Sequence, residues 1–363
     1  MLRAAFLILF LSILIAGYSQ KTNSLCLGIN ICGSEFGEDK LPGKLNVDYV
    51  YPNEKEINYF ALKGFKIVNL PFKWERIQKE LGADLNIIEI DEIKKVLNIC
   101  SKKGLKVILS MHNFGRYRKY NTNFVVGSSI VPKETFKDVW KKIAFTFKEY
   151  TNIYGFDIMS EPHNMWGFSW ATSAQAAIEG IREINKTANI IVGGENYSDP
   201  SSWPIINDAL RFLYDPSNKI IYDAHCYFDK DRSGRYINEY GADGAYEKIG
   251  IDRIKPFLDW LKKNRKQGMI GEFGVPANDS RWLMVMDKFL TYISEQQIIA
   301  NYWAAGSWWY NYPLSIQPVQ GIDKPQMAVL QKYLTSANNY TITTSNQYRE
   351  NKPPVYSSSV SNK

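Results

Sequence analysis

Eight short runs of apolar and β-branched residues recur along the chain: Leu25–Ile31, Lys66–Leu70, Lys106–Met111, Gly155–Met159, Asn189–Val192, Ile220–Ala224, Met269–Gly271 and Ile299–Ala304. Between them the apolar spacing shifts toward ~3.6, the period of an amphipathic helix. This is clearest in Glu54–Lys63, Ile90–Lys103, Lys133–Tyr150, Thr172–Lys186, Ile249–Arg265 and Trp282–Gln296. Strands that alternate with helices pair in parallel, because each parallel pairing needs a crossover. Eight such units close into a barrel or lie open as a doubly wound sheet. The glycine-rich phosphate turn of a dinucleotide-binding open sheet is missing after Leu25–Ile31. The pattern therefore predicts an α/β chain built as a single (β/α)8, or TIM, barrel.

In that architecture the chemistry gathers at the C-terminal ends of the strands, which are the positions of His112, Glu161, His225, Glu272 and Trp303. Glu161 stands in Y-G-F-D-I-M-S-E-P-H-N and Glu272 in G-M-I-G-E-F-G-V, each closing an apolar run. Cleaving a glycosidic bond requires one carboxyl to protonate the leaving oxygen and a second to attack the anomeric carbon or activate water. The three histidines, His112, His163 and His225, all fall in strand-end words. None forms the H-x-H or H-E-x-x-H spacing of a metal site, so no metal is expected. His163 reads as the most structural of the three.

The first residues read as a secretory leader: Arg3, an apolar stretch from Ala4 to Ala16, then Gly17 and Ser19 spaced for cleavage before Gln20. The stretch is shorter than the ~20 residues of a membrane span. The expected organisation is a signal peptide over 1–19, one catalytic domain over 20–335 and a polar tail over 336–363. The formal charge of +7 is dispersed over lysine-rich helical stretches such as Glu92–Lys106 and Arg253–Lys266, which argues for solvated helix faces and against a nucleic-acid footprint. No stable membrane insertion is expected. The mature chain is expected to be a secreted or periplasmic monomer. Four cysteines, Cys26, Cys32, Cys100 and Cys226, are too few for a disulfide scaffold; a Cys26–Cys32 bridge and buried free thiols are both open.

Seven words in order carry a resemblance: G-I-N from Gly28, L-P-F-K-W-E-R from Leu70, M-H-N-F-G-R-Y from Met111, E-P-H from Glu161, H-C-Y-F-D from His225, I-G-E-F-G-V-P from Ile270 and Y-W-A-A-G-S-W-W from Tyr302. Over roughly Leu25 to Leu334 the chain resembles glycoside hydrolase family 5, especially its secreted bacterial endoglucanase-like members. The resemblance implies a (β/α)8 barrel and a retaining double displacement on β-1,4-glucan or a related plant polysaccharide, with mannan and mixed-linkage glucan as neighbouring substrates. It implies Glu161 as acid/base and Glu272 as nucleophile. It also implies Tyr227 bonded to the nucleophile, His112 and His225 lining the site, and Trp303 under a sugar ring. The partner it implies is a polysaccharide or oligosaccharide, with no cofactor.

Three positions depart from the resemblance. Asn69 stands where an arginine usually supports the nucleophile, and Ser160 where an asparagine usually holds the sugar 2-hydroxyl. Ser110 stands where many relatives carry an aspartate. Asparagine donates a hydrogen bond but brings no charge, so Arg116 is a candidate replacement cation. The two carboxylates without their usual support also suit a non-catalytic or attenuated carbohydrate-binding barrel. Among the ten tryptophans, Trp140 and Trp260 read as helix packing, and Trp166, Trp170, Trp308 and Trp309 as candidate further sugar platforms.

Overall fold

The computed structural model describes residues 25–334; the signal peptide and the polar tail expected from the sequence lie outside the described residues. In chain order the first half runs β1 (Leu27–Ile31), α1 (Glu54–Lys63), β2 (Ile67–Phe72), α2 (Trp74–Ile77), α3 (Ile87–Lys102), β3 (Lys106–Met111), β4 (Arg116–Lys119), β5 (Thr122–Val125), α4 (Lys133–Thr146) and β6 (Ile153–Asp157). The second half runs α5 (Trp170–Ile184), β7 (Asn189–Gly193), α6 (Trp203–Ile206), β8 (Ile220–His225), α7 (Ile249–Asn264), β9 (Gln267–Phe273), α8 (Ser280–Glu295), β10 (Ile299–Ala305) and α9 (Pro325–Leu330). Polar caps open several helices. Asn53 and Glu56 form a capping box on α1, Ser169 caps α5 and Asp279 caps α8.

Eight strands form a closed parallel barrel in the order β1-β2-β3-β6-β7-β8-β9-β10, with β10 returning to β1. Each corresponds to one of the eight expected runs. Beta4 and β5 form a separate antiparallel hairpin turning through Tyr120 and Asn121, both with positive φ. Such a turn matches the strand twist. Its Tyr-Asn pair lacks the glycine that usually announces it, and no strand was expected there.

Barrel closure sorts side chains by parity, because residues two apart share a face. Cys26, Ile67, Ile108, Ile191, Ile221 and Met269 belong to a small apolar cluster separate from the main core between sheet and helices. Two residues further along come Gly28, Asn69, Ser110, Gly193, Asp223 and Gly271, and the interior turns from apolar to polar. One step more reaches Asn30, His112 and His225.

Glu272 breaks this parity through a bulge. On one side Ala224 pairs with Ile270 and His225 with Glu272; on the other, Ala300 pairs with Ile270 and Tyr302 with Phe273. Both neighbours therefore show one extra residue in β9. A bulge re-aims the side chain it carries. Glu272 turns to the barrel mouth while Phe273 stays in the outer core, edge-on to Tyr302 and tilted against Phe289.

Gly271, beside the bulge, makes room for the buried Asp223, since a Cβ there would lie 2.2 Å from its Oδ2. Gly271→Ala is expected to cost ~1–3 kcal/mol, the range of overpacking in a filled interior, and to lower activity with it. Urea denaturation checks the first part; an unchanged midpoint would mean that Asp223 yields freely.

Candidate active site

Glu161 follows β6 after a short extended segment in which the amide of Ser160 donates to the carbonyl of Met111 at 2.8 Å. The glutamate itself is left-handed, with φ 50°, a conformation a non-glycine residue holds only when its surroundings impose it. Arg116 supplies part of that constraint. From the hairpin its guanidinium donates to the carbonyls of Phe114 (2.5 Å), His163 (2.9 Å) and Asn164 (3.2 Å). The arginine proposed from sequence as a replacement cation thus spends its hydrogen bonds on backbone carbonyls and donates to neither Glu161 nor Glu272. His163 lies outside the acidic centre, its Nδ1 3.0 Å from the carbonyl of Glu161 and its ring stacked on Tyr197 at 4.0 Å.

Glu161 and Glu272 meet at His225. Nδ1 of His225 lies 2.7 Å from Oε1 of Glu161 and 3.4 Å from Oε2 of Glu272, and Nε2 faces Oδ2 of Asp223 at 3.4 Å. The Tyr227 hydroxyl donates to Oε2 of Glu272 at 2.6 Å. Burial pushes the Glu272 carboxyl up to about 8 against the opposing pull of His225 and the Tyr227 hydrogen bond, with the charge of Glu161 adding to the rise. Burial works against a charged His225, but the carboxylate of Glu272, with Asp223 and Glu161, outweighs it and holds the imidazole well above its ordinary range.

Beneath this set lie two more buried acids. Burial and the charge of Asp223 push Asp157 up to about 7, and Ser110 donates its hydroxyl to the Asp157 carboxyl. Ser110 is therefore a hydrogen-bond donor inside the barrel. Asn69 donates to Oδ1 of Asn30, and Asn30 in turn donates to the carbonyls of Gly271 (2.9 Å) and Tyr302 (3.2 Å). Asn69 thus steadies the backbone under Glu272 and brings it no charge. The Ser160 hydroxyl is buried beside Glu161 and has no protein partner.

The aromatic side is built on β10. Trp303 is half-buried, stacks parallel to His112 with ring centres 5.9 Å apart, and donates its indole N–H to Tyr312 at 3.2 Å. Burial and the Lys73 charge push His112 well below its usual range, so it stands as a neutral ring. Trp309 packs edge-on to Trp303 and Phe36 and stacks on Tyr312, which makes it a support for Trp303. Trp166 is exposed. Trp170, expected as a sugar platform, is buried at the start of α5 and donates to the carbonyl of Gly193; it is a packing residue. Trp140 and Trp260 are buried in helices, and all four cysteines are free thiols.

Sequence reasoning passed over Asp157, Asp223, Asn30 and Tyr312. Asp223 carried a usable signal, since it precedes His225 by two residues and must share its face. Tyr312 lies in an irregular loop with no periodicity to read. Among the described residues, Glu161, His225 and Glu272 are the group that could hold a metal ion, with donor atoms within 4.8 Å of one another. Nδ1 of His225, however, is in hydrogen-bond contact with Glu161 at 2.7 Å and lies 3.4 Å from Glu272, so we read a hydrogen-bonded set and not a ligand set.

A sequence model of the cellulase family, glycosyl hydrolase family 5, matches residues 31–310. The chain is 34% identical over 314 residues to the probable endo-beta-1,4-glucanase B of Aspergillus oryzae, covering 85% of this chain and 90% of that protein. Among solved structures it is similar to the Pseudomonas stutzeri endoglucanase Cel5A in complex with cellobiose, with a TM-score of 0.81, 38% identity and coverage of 87% of this chain and 94% of that one. It is also similar to the endo-beta-1,4-glucanase Xac0029 of Xanthomonas axonopodis pv. citri, with a TM-score of 0.77, 33% identity and coverage of 85% and 98%. A barrel of this order, two carboxylates at its mouth and a family match spanning both place the chain in the cellulase family, glycosyl hydrolase family 5.

Proposed function

We propose that the chain is a retaining endo-β-1,4-glucanase, exported by its leader, that cuts a β-glucan within the polymer. The observation that carries this reading is the pairing of Glu161 and Glu272 across His225, with one oxygen of each carboxyl and a ring nitrogen of His225 all within 4.8 Å of one another. Retaining pairs stand about 5–5.5 Å apart, whereas inverting pairs need about 6.5–9.5 Å to admit water. Oxygens that approach this closely favour direct attack by a carboxylate.

In the first half-reaction the Glu272 carboxylate attacks the anomeric carbon. The bond to the leaving oxygen breaks, and that oxygen takes the proton of Glu161, giving a glycosyl ester and a shortened chain. In the second, water attacks the same carbon, Glu161 takes the water proton, and the ester bond breaks to return Glu272 as carboxylate. Tyr227 orients Glu272, Trp303 offers an apolar face to a sugar ring, and the unpartnered Ser160 hydroxyl is free to meet a sugar hydroxyl. Asn69 and Ser160 favour a second reading, an attenuated barrel that binds glucan and turns it over poorly.

Hydrolysis of soluble β-1,4-glucan, mixed-linkage glucan and mannan by the purified mature chain tests both readings. β-1,4-Glucan is the expected substrate, with Glu161→Gln and Glu272→Gln each losing at least ~100-fold in kcat and a chelator without effect. Binding without turnover, unchanged by Glu272→Gln, would support the attenuated barrel; hydrolysis abolished by chelator would point to a metal.

The raised Glu272 carboxyl sets the sign of the pH dependence. Glu272 reacts as the anion, so activity is lost as pH falls through its pKa, and an upward shift moves that loss to higher pH. The acid limb of kcat/KM is expected more than one unit above the ~4.3 of an ordinary glutamate. A limb at or below that value would contradict the assignment.

A further inference from the structure

We propose that Asp223 is a positioning residue that keeps His225 as an imidazolium, and that this ring is the cation steadying Glu272 and Glu161 in turn. The proposal rests on the catalytic roles given above to the two glutamates.

The argument begins with ring geometry. A neutral imidazole has one N–H, so one nitrogen must present a lone pair. Both nitrogens of His225 face carboxylate oxygens: Nδ1 those of Glu161 and Glu272, Nε2 that of Asp223. A lone pair toward either side would set like partial charges together in a buried site, where repulsion is poorly screened. The arrangement is satisfied when both nitrogens donate.

The remaining groups around the ring agree. From β6, Asp157 faces the same interior, where burial and the charge of Asp223 push its carboxyl up, and it is Oδ2 of Asp223 that faces Nε2. From the end of β3, His112 is held neutral, so it does not compete as a cation. Tyr227 donates to Glu272 as a neutral hydroxyl. Among the described residues no lysine or arginine donates to Glu161 or Glu272; Lys73 is spent on Glu38 and the carbonyl of His112, and Arg116 on backbone carbonyls. His225 is left as the positive group in contact with both.

One cation then serves two steps. While Glu272 is the anion, the imidazolium favours that ionised form. Once Glu272 is an ester its charge is gone, and Nδ1 lies 2.7 Å from Oε1 of Glu161, placed to orient the carboxyl that takes a proton from water.

Nitrogen NMR of the mature chain, labelled at its three histidines, reads the ring directly. At pH 7 both nitrogens of His225 are expected at imidazolium shifts, and in Asp223→Asn one is expected at a neutral shift. With soluble β-1,4-glucan, folded Asp223→Asn is expected to raise the acid limb of kcat/KM by about one unit, a roughly tenfold loss on the acid side, with KM near the wild-type value. A neutral His225 in the wild type overturns the proposal even if the variant fails to fold; so does a folded variant with an unmoved limb. Hydrolysis persisting in Glu272→Gln would instead strike at the catalytic reading and leave the NMR result standing.

Discussion

Glu272, the carboxyl proposed as the nucleophile, would react as the anion yet is held where water is scarce, and much of the barrel mouth follows from that conflict. Burial of Glu272 opposes its charge. The surroundings answer with a tyrosine hydroxyl at 2.6 Å, an imidazole between the two glutamates, and an asparagine pair bracing the backbone beneath. None of these reaches Glu272 without the extra residue in β9. Regular alternation would have pointed Phe273 at the sugar and Glu272 at the helices, so one bulge decides whether the site exists.

The interior beneath explains why the conflict is tolerated. Isoleucines, a methionine and a cysteine fill the barrel's lower interior. Two residues up, glycine at 28 and 271 leaves room for Asn301 and Asp223. The polar layer is thus built from small and large partners in facing strands, and the acids in it are kept from water by the apolar layer below. Burial first, and then the poorly screened charge of Asp223, push the Asp157 carboxyl up.

The strands were legible because each is buried on both faces and reads as an uninterrupted apolar run. The positions of His112, Glu161, His225, Glu272 and Trp303 followed from strand order alone. What stayed hidden depends on register and irregular backbone. The bulge that aims Glu272 leaves no compositional mark, and the hairpin carrying Arg116 turns on Tyr-Asn instead of glycine. Trp170 was misread because a tryptophan after an active-site loop looks the same whether it meets sugar or, as here, is buried at the first turn of α5 with its indole N–H on the carbonyl of Gly193. Arg116 was misread because charge was counted without asking which carbonyls would claim it.

Asn69 shows how a lost charge is distributed rather than replaced. An arginine carries a charge at any pH a glucanase meets, so a nucleophile leaning on it has fixed support. Asn69 passes its hydrogen bond through Asn30 to the carbonyl of Gly271, which preserves position and leaves charge to His225. Imidazole charge is conditional: it depends on the carboxylates that face it, and those titrate with it. On the proposed roles, Glu272 and His225 therefore form one coupled system, in which taking the proton from the ring weakens the support of Glu272 and adding a proton to Glu272 removes a reason for the ring to be charged. Such a site works over the pH interval in which the ring is protonated and Glu272 is not. The width of that interval is set by Asp223, whose charge raises the upper edge through the ring while its repulsion of Glu272 limits how far the lower edge can fall.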